Sequence, residues 1–288
     1  MTGDSAESEE ATRVQGSDPA KPNAARIYDY LLGGKHHSAA DRQAAEQLMR
    51  VLPDAARAAR ANRDFLAAAV RYAAGQGIGQ YVDIGAGFPT SPNVHECARE
   101  TIPEARVAYV DNDPVVVSDA RALLATDELV TVISADAREY KTILSALELG
   151  GIIDLSEPVC VLFVSMLHFL ADADADALVA AIRERMAPGR YLVLSAGCLD
   201  DSNLPAREGV ESAYGARTVL SGRPPAEIAA YFGDFELLPP GLLPVTEWPI
   251  GVPAGVQPSQ GAQEPPAPTM LTMLARSEEH TSELQSPC

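Results

Sequence analysis

Five short clusters in this chain combine residue types that suit ligand chemistry: Asp83-Ile-Gly85-Ala86-Gly87, Asp111-Asn112, Asp136-Ala137, Ser165-Met-Leu-His168-Phe169 and Ser195. Glycine has no Cβ, so Gly85 and Gly87 let the main chain approach a ligand closely. A tight turn is the plain alternative for them. Asp111 follows Gly85 by 26 residues, where an acid can accept both hydroxyls of a ribose. Asp136 suits an adenine amino group or the N-cap of a following helix, and one carboxylate can serve both. Phosphate chemistry fits poorly. The third glycine of G-x-G-x-x-G is replaced by Thr90, and Pro89 removes an N–H that a phosphate would use. No G-x-x-x-x-G-K-[ST] loop occurs. The pattern points to a ribose-bearing cofactor without phosphates, S-adenosylmethionine.

Such clusters need a scaffold. Residues from Asn23 to about Ala74 read as three helices, broken at Gly33-Gly34 and at Pro53 and closed by Gly75 and Gly77. After Gln80, short apolar runs alternate with amphipathic stretches five times, and Val159–Met166 is apolar enough for a strand buried on both faces. Ser91-Pro92 reads as the start of the first helix after the glycine loop. Alternation of this kind predicts an α/β fold with a doubly wound parallel sheet. All five clusters then fall at the carboxyl ends of strands, where open sheets bind ligands.

Asp83-Ile-Gly-Ala-Gly87, Tyr109-Val-Asp-Asn-Asp-Pro114, Ala135-Asp136 and Met186-Ala-Pro-Gly-Arg-Tyr-Leu-Val-Leu-Ser195 resemble the ordered motifs of class I S-adenosylmethionine-dependent methyltransferases. Asn23–His37 and Phe88–His95 resemble a narrower bacterial family, once filed as a domain of unknown function and named only S-adenosyl methyltransferase. The likeness spans roughly residues 20–275. It departs from the superfamily pattern where Phe88-Pro89 replaces the usual third glycine. The resemblance implies a Rossmann-like seven-stranded sheet of order 3-2-1-4-5-7-6 with its last strand antiparallel. It also implies cofactor contacts from Asp83, Gly85, Ala86, Gly87, Asp111, Asn112, Asp136, Ala137 and Ser165.

The methyl acceptor is expected to be a small molecule. His168 follows the fourth strand and His36 sits in a loop near the site mouth, so each is a candidate general base. Arg26, Tyr28, Tyr30 and His37 are candidate acceptor contacts. Packed or solvent-exposed roles are the alternative for each. Asp172-x-Asp174-x-Asp176 reads as acids at a helix start, so no metal is expected. Residues 23–37 are expected to fold over the cofactor as a lid. A cofactor-binding regulatory protein without catalysis and a nicotinamide-dependent oxidoreductase stand as alternatives, the latter disfavoured by Pro89 and Thr90.

The formal charge of −18 over 288 residues argues against bulk nucleic-acid binding and against an anionic membrane surface. No apolar run approaches the ~18 residues of a membrane span, and no signal peptide is visible. Four cysteines without a C-x-x-C pair suit a cytoplasmic protein. The expected organisation is a disordered acidic leader over 1–20 and one methyltransferase domain over 21–275. Within that domain, 21–78 form the helical lid region and 79–275 the Rossmann-like core. Residues 250–268 read as a loop rich in Pro, Gly and Gln. Within the tail 276–288, Arg276 to Ser286 back-translates, with one permitted codon choice, to the constant stretch of a common sequencing adapter. The tail is expected to lie outside the fold.

Overall fold

A computed structural model describes residues 20–124, 127–198, 204–215, 218–248 and 269–277. The leader before Ala20, the 250–268 loop and the tail from 278 onward lie outside the described residues. The chain begins with α1 (Ala24–Leu32), α2 (Ala39–Val51) and α3 (Ala55–Gly75). The alternating core follows: β1 (Gln80–Ile84), α4 (Val94–Arg99), β2 (Arg106–Asp111), α5 (Pro114–Leu124), β3 (Val130–Ser134), α6 (Tyr140–Gly150), β4 (Cys160–Val164), α7 (Asp172–Arg185) and β5 (Tyr191–Cys198). Then come α8 (Leu204–Tyr214), α9 (Pro225–Ala230), β6 (Glu236–Leu237), β7 (Leu243–Pro244) and β8 (Thr269–Arg276).

The sheet order is β3-β2-β1-β4-β5-β8-β6, with β7 beside β8. The first five strands are parallel, and β8 runs antiparallel between β5 and β6. This is the expected arrangement once the two-residue β7 is counted. β1, β4 and β5 are buried along nearly their whole length, as their apolar runs require. One core layer, around Phe163, Leu178 and Ile182, covers one face of the sheet. A second, around Phe65, Tyr81 and Trp248, covers the other. α1, α2 and α8 share a third cluster through Ile27, Leu31, Leu48 and Val210.

Three local readings need correction. The N-cap of α4 is Asn93, which forms a capping box with Glu96, so the helix starts after Ser91-Pro92. α8 had no clear sequence signal and proves to be the support of the N-terminal helices. Arg276 still belongs to β8, opposite Tyr191, and the Ser277 N–H donates to the Arg190 carbonyl at 3.0 Å. The first two residues of the expected tail therefore complete the sheet.

Candidate cofactor and methyl-acceptor site

The strand tips fix the layout. In the order β3-β2-β1-β4 they carry Asp136, Asp111, Gly85 and Ser165 side by side. Strands stand about 4.8 Å apart, so the row from β3 to β4 spans ~14 Å. A cavity of about 380 Å³ lies against this row and is lined by all four residues.

At the β2 tip, Asp111 receives the Gly87 N–H on Oδ2 and the Asp113 N–H on Oδ1, both at 2.9 Å. Each oxygen keeps a lone pair for a further donor. Burial raises the Asp111 pKa against these bonds. Asp136, at the β3 tip, is held at about 2, first by the Arg138 guanidinium and also by the Asn112 amide at 3.3 Å. It caps the turn over Ala137 by accepting the Arg138 N–H. The glycine loop folds back on β2 through bonds from the Gly85 and Ala86 N–H groups to the Val110 carbonyl. Gly85 has φ +77°, and a Cβ there would stand 2.8 Å from the Met166 Cβ, so only glycine fits. Ser165 is the one described non-glycine residue at positive φ, +58°, held by its N–H to the Ser195 hydroxyl at 2.9 Å. Strain of this kind concentrates where a chain must present itself to a ligand.

Asp83, at the end of β1, is buried and lines the same cavity. Among the described residues no donor bonds its carboxylate. Desolvation lifts its pKa to about 7, with Arg63 pulling it down and Asp111 pushing it up. Arg63, on α3, donates from Nη2 to the Thr90 and Pro92 carbonyls at 2.6 and 2.9 Å and also lines the cavity. A buried anion beside a fixed cation suits a zwitterionic ligand. These features fit the amino-acid end of S-adenosylmethionine, and Asp111 fits its ribose. The cavity volume lies within the ~300–1,000 Å³ of small-molecule sites.

Residues of α1 also line the cavity. α1 starts at Asn23, whose side chain caps the Arg26 N–H and also donates to Asp113 Oδ2 at 2.8 Å. The helix ends at Gly33 (φ +85°). At Gly34 a Cβ would sit 2.0 Å from Asp29 Oδ1, so glycine alone permits the turn that lets Asp29 Oδ2 accept the His36 N–H at 2.7 Å. Asn23, Tyr28, Asp29 and Leu32 line the cavity.

Of the acceptor-side residues expected from sequence, the structure brings only Tyr28 to the cavity lining. His168 is turned into the protein. It is 8% exposed, its Nδ1 accepts the Gly197 N–H at 3.2 Å, and burial with the Arg223 charge lowers its pKa to about 4. So placed, it packs the end of β5 and is not among the described lining residues of the cavity. His36 pairs with Asp119 at 2.8 Å and rests on Phe88. His37 contacts the Gly34 carbonyl, Arg42 and the Tyr30 ring. Arg26 is buried against Asp41 at 2.8 Å. None of these three is among the described lining residues of the cavity.

Asn62, Arg63 and Tyr214 are lining residues missed in the sequence, and Phe169, the last residue of the fourth-strand cluster, lines the cavity with them. Phe169 belongs to a turn that Arg223 pins through the Leu167 and Leu170 carbonyls, at 2.9 and 3.0 Å. Its ring meets Tyr214 edge-on at 5.3 Å. Asn62 had a signal: it is a polar residue on the buried stripe Ala59, Asn62, Leu66, Ala69, Ala73 of α3.

The parallel sheet with its antiparallel penultimate-position β8, the glycine loop at β1 and the acid at β2 define a class I S-adenosylmethionine-dependent methyltransferase. Residues 9–276 match the S-adenosyl methyltransferase family, and the chain belongs to it. Two solved structures are similar to it. One is a candidate methyltransferase from Thermobifida fusca YX, 36% identical, with TM-score 0.78, covering 90% of this chain and 96% of that one. The other is a DUF574 family protein from Streptomyces avermitilis MA-4680, 35% identical, with TM-score 0.78, covering 90% and 99%. No curated protein matches. Family membership removes the nicotinamide alternative. Among the described residues, no helix is long and apolar enough to cross a membrane.

Proposed function

We propose that this methyltransferase methylates a small-molecule acceptor, held beyond the β4 tip under the N-terminal helices of a cytoplasmic enzyme. The observation that carries this reading is the continuity of one cavity from Asp111 and Asp136 to Phe169 and Tyr214. Asp111 holds the ribose hydroxyls. Asp136, Asn112 and Ala137 border the adenine. Gly85, Ala86 and Gly87 pass under the methionine portion. Asp83 takes the ammonium and Arg63 the carboxylate. Ser165 faces the reacting end. When bound, S-adenosylmethionine supplies an electrophilic methyl group on a sulfonium. The protein supplies position: α1 excludes water from above, while the aromatic wall holds the acceptor in line, which accounts for much of the rate in a displacement of this type.

The test uses the full chain. Calorimetric titration should show binding of S-adenosylmethionine and S-adenosylhomocysteine and none of NAD. Incubation with a metabolite extract and isotopically labelled methyl donor should place label in molecules that pass a small-pore filter. Label retained only on macromolecules would overturn the small-acceptor reading.

A further inference from the structure

Beyond the β4 tip the cavity changes character. Tyr28, Leu32, Phe169, Leu170, Tyr214 and Val219 form that end, an apolar wall with three rings. The two cations among the described lining residues are committed elsewhere. Arg138 holds Asp136 at the β3 tip, and Arg63 is tied to the Thr90 and Pro92 carbonyls beside the glycine loop. Among the described residues of this end no cation is left to pair an anionic acceptor, and burying an unpaired charge is costly. The described lining residues include no histidine, lysine or cysteine. Their carboxylates lie at the β1, β2 and β3 tips or, for Asp29, hold the His36 N–H. Burial raises the Tyr28 and Tyr214 hydroxyl pKa values, so neither takes a proton near neutrality.

Among the described lining residues, one buried side-chain atom has no hydrogen-bond partner. Asn62 is 1% exposed, its Nδ2 donates to the Tyr28 hydroxyl at 2.9 Å, and that hydroxyl donates to the Ala59 carbonyl at 3.1 Å. Asn62 Oδ1 accepts no hydrogen bond from the described residues. A buried acceptor without a donor is destabilising until one is supplied.

We propose that the methyl acceptor is an uncharged, planar arylamine, stacked against Phe169 and Tyr214 with its N–H directed to Asn62 Oδ1. Its own nitrogen lone pair forms the new N–CH3 bond as the S–CH3 bond breaks. The sulfur keeps the bonding pair, and the methylated nitrogen gives up its proton to water afterward. An arylamine nucleophile needs no enzymic base for this step. The inference rests on the methyltransferase reading above.

Four probes on one ring test it: 5-aminoquinoline, quinoline, 5-hydroxyquinoline and quinoline-5-carboxylate. Each is titrated at pH 7.5 into protein saturated with S-adenosylhomocysteine, and methyl transfer from S-adenosylmethionine is followed by mass spectrometry. 5-Aminoquinoline should bind at least tenfold more tightly than the carboxylate and about fivefold more tightly than quinoline. N-methyl product should appear from the amine and no O-methyl product from the hydroxyl compound. Asn62→Leu should erase the amine's advantage over quinoline. Phe169→Leu should weaken all four probes about tenfold while S-adenosylhomocysteine still binds, which also reports that the variant is folded. Equal or tighter binding of the carboxylate, O-methyl product in excess of N-methyl, or no quinoline bound by the S-adenosylhomocysteine complex overturns the proposal. Failure of S-adenosylhomocysteine itself to bind would instead strike the cofactor reading.

Discussion

Arg63→Met is the most informative single change. The side chain keeps its length along α3 but loses the charge set between Asp83 and the glycine loop. If Arg63 holds the carboxylate of the methionine portion, the variant loses one charge-assisted hydrogen bond, worth about 1.5–3 kcal/mol. At 1.4 kcal/mol per tenfold, S-adenosylhomocysteine should bind ~10–100-fold more weakly. The control ligand is 5′-methylthioadenosine, which keeps the adenine, ribose and sulfur but lacks the amino acid. Its affinity should change by less than about threefold. The comparison matters because Arg63 also donates to Thr90 and Pro92, and loosening that loop would weaken both ligands alike. Titration calorimetry on both gives the answer, and equal losses refute the zwitterion clamp. pH adds a second readout. Asp83 titrates at about 7, so below that value it is protonated and offers the ammonium no charge. S-Adenosylhomocysteine affinity should fall about tenfold per unit as pH drops below ~7, with 5′-methylthioadenosine flat over the same range. Removing Arg63 withdraws the charge that lowers the Asp83 pKa, so the break should move to higher pH in the variant.

Asp111→Ala should weaken S-adenosylmethionine ~10–100-fold, since two oxygens fixed by Gly87 and Asp113 are lost; unchanged affinity in a folded variant would rule out a ribose role. Asp83→Asn should alter the pH dependence of stability without ligand. The folded pKa of about 7 lies above the unfolded ~3.9, so the native state holds the extra proton and stability falls as pH rises from ~4 to ~7. The fall attributable to Asp83 has an upper order of about 4 kcal/mol, and a variant melting curve that tracks the parent at both pH 5 and pH 8 would contradict it. Hydrogen exchange over residues 23–37 should slow when S-adenosylhomocysteine binds. α1 has nine residues, too few to stand alone, and its docking includes the Asn23–Asp113 bond at the β2 tip. Equal exchange with and without ligand would return these helices to a purely structural role.

The parts of the site legible in the sequence are those that strands carry. A parallel strand buried on both faces is a short apolar run, and the first polar or glycine residue after it must lie at the carboxyl edge of the sheet. Asp83, Gly85, Asp111, Asp136 and Ser165 follow from that rule, and all five line one cavity. The rule fails three residues further on, at His168, because chain position past a strand says nothing about which way a side chain turns. Leu167–Phe169 form a single tight turn, held by Arg223, that sends His168 inward to Gly197 and leaves Phe169 on the cavity wall. The helices obey a different logic. Asn62, Arg63 and Tyr214 reach the cavity only because α3 packs on the sheet and α8 packs under α1 and α2, contacts between segments far apart in the chain. Local pattern marks such helices as amphipathic without saying which partner covers them. The division has a functional reading. Tips locked in a hydrogen-bonded sheet are spaced by the strands themselves and suit an invariant cofactor. Helices docked by side-chain packing can be repacked without breaking the sheet, so the proposed acceptor wall built from α1, α3, α8 and the turn after β4 is where specificity within this fold can change while Asp111 and Gly85 stay in place.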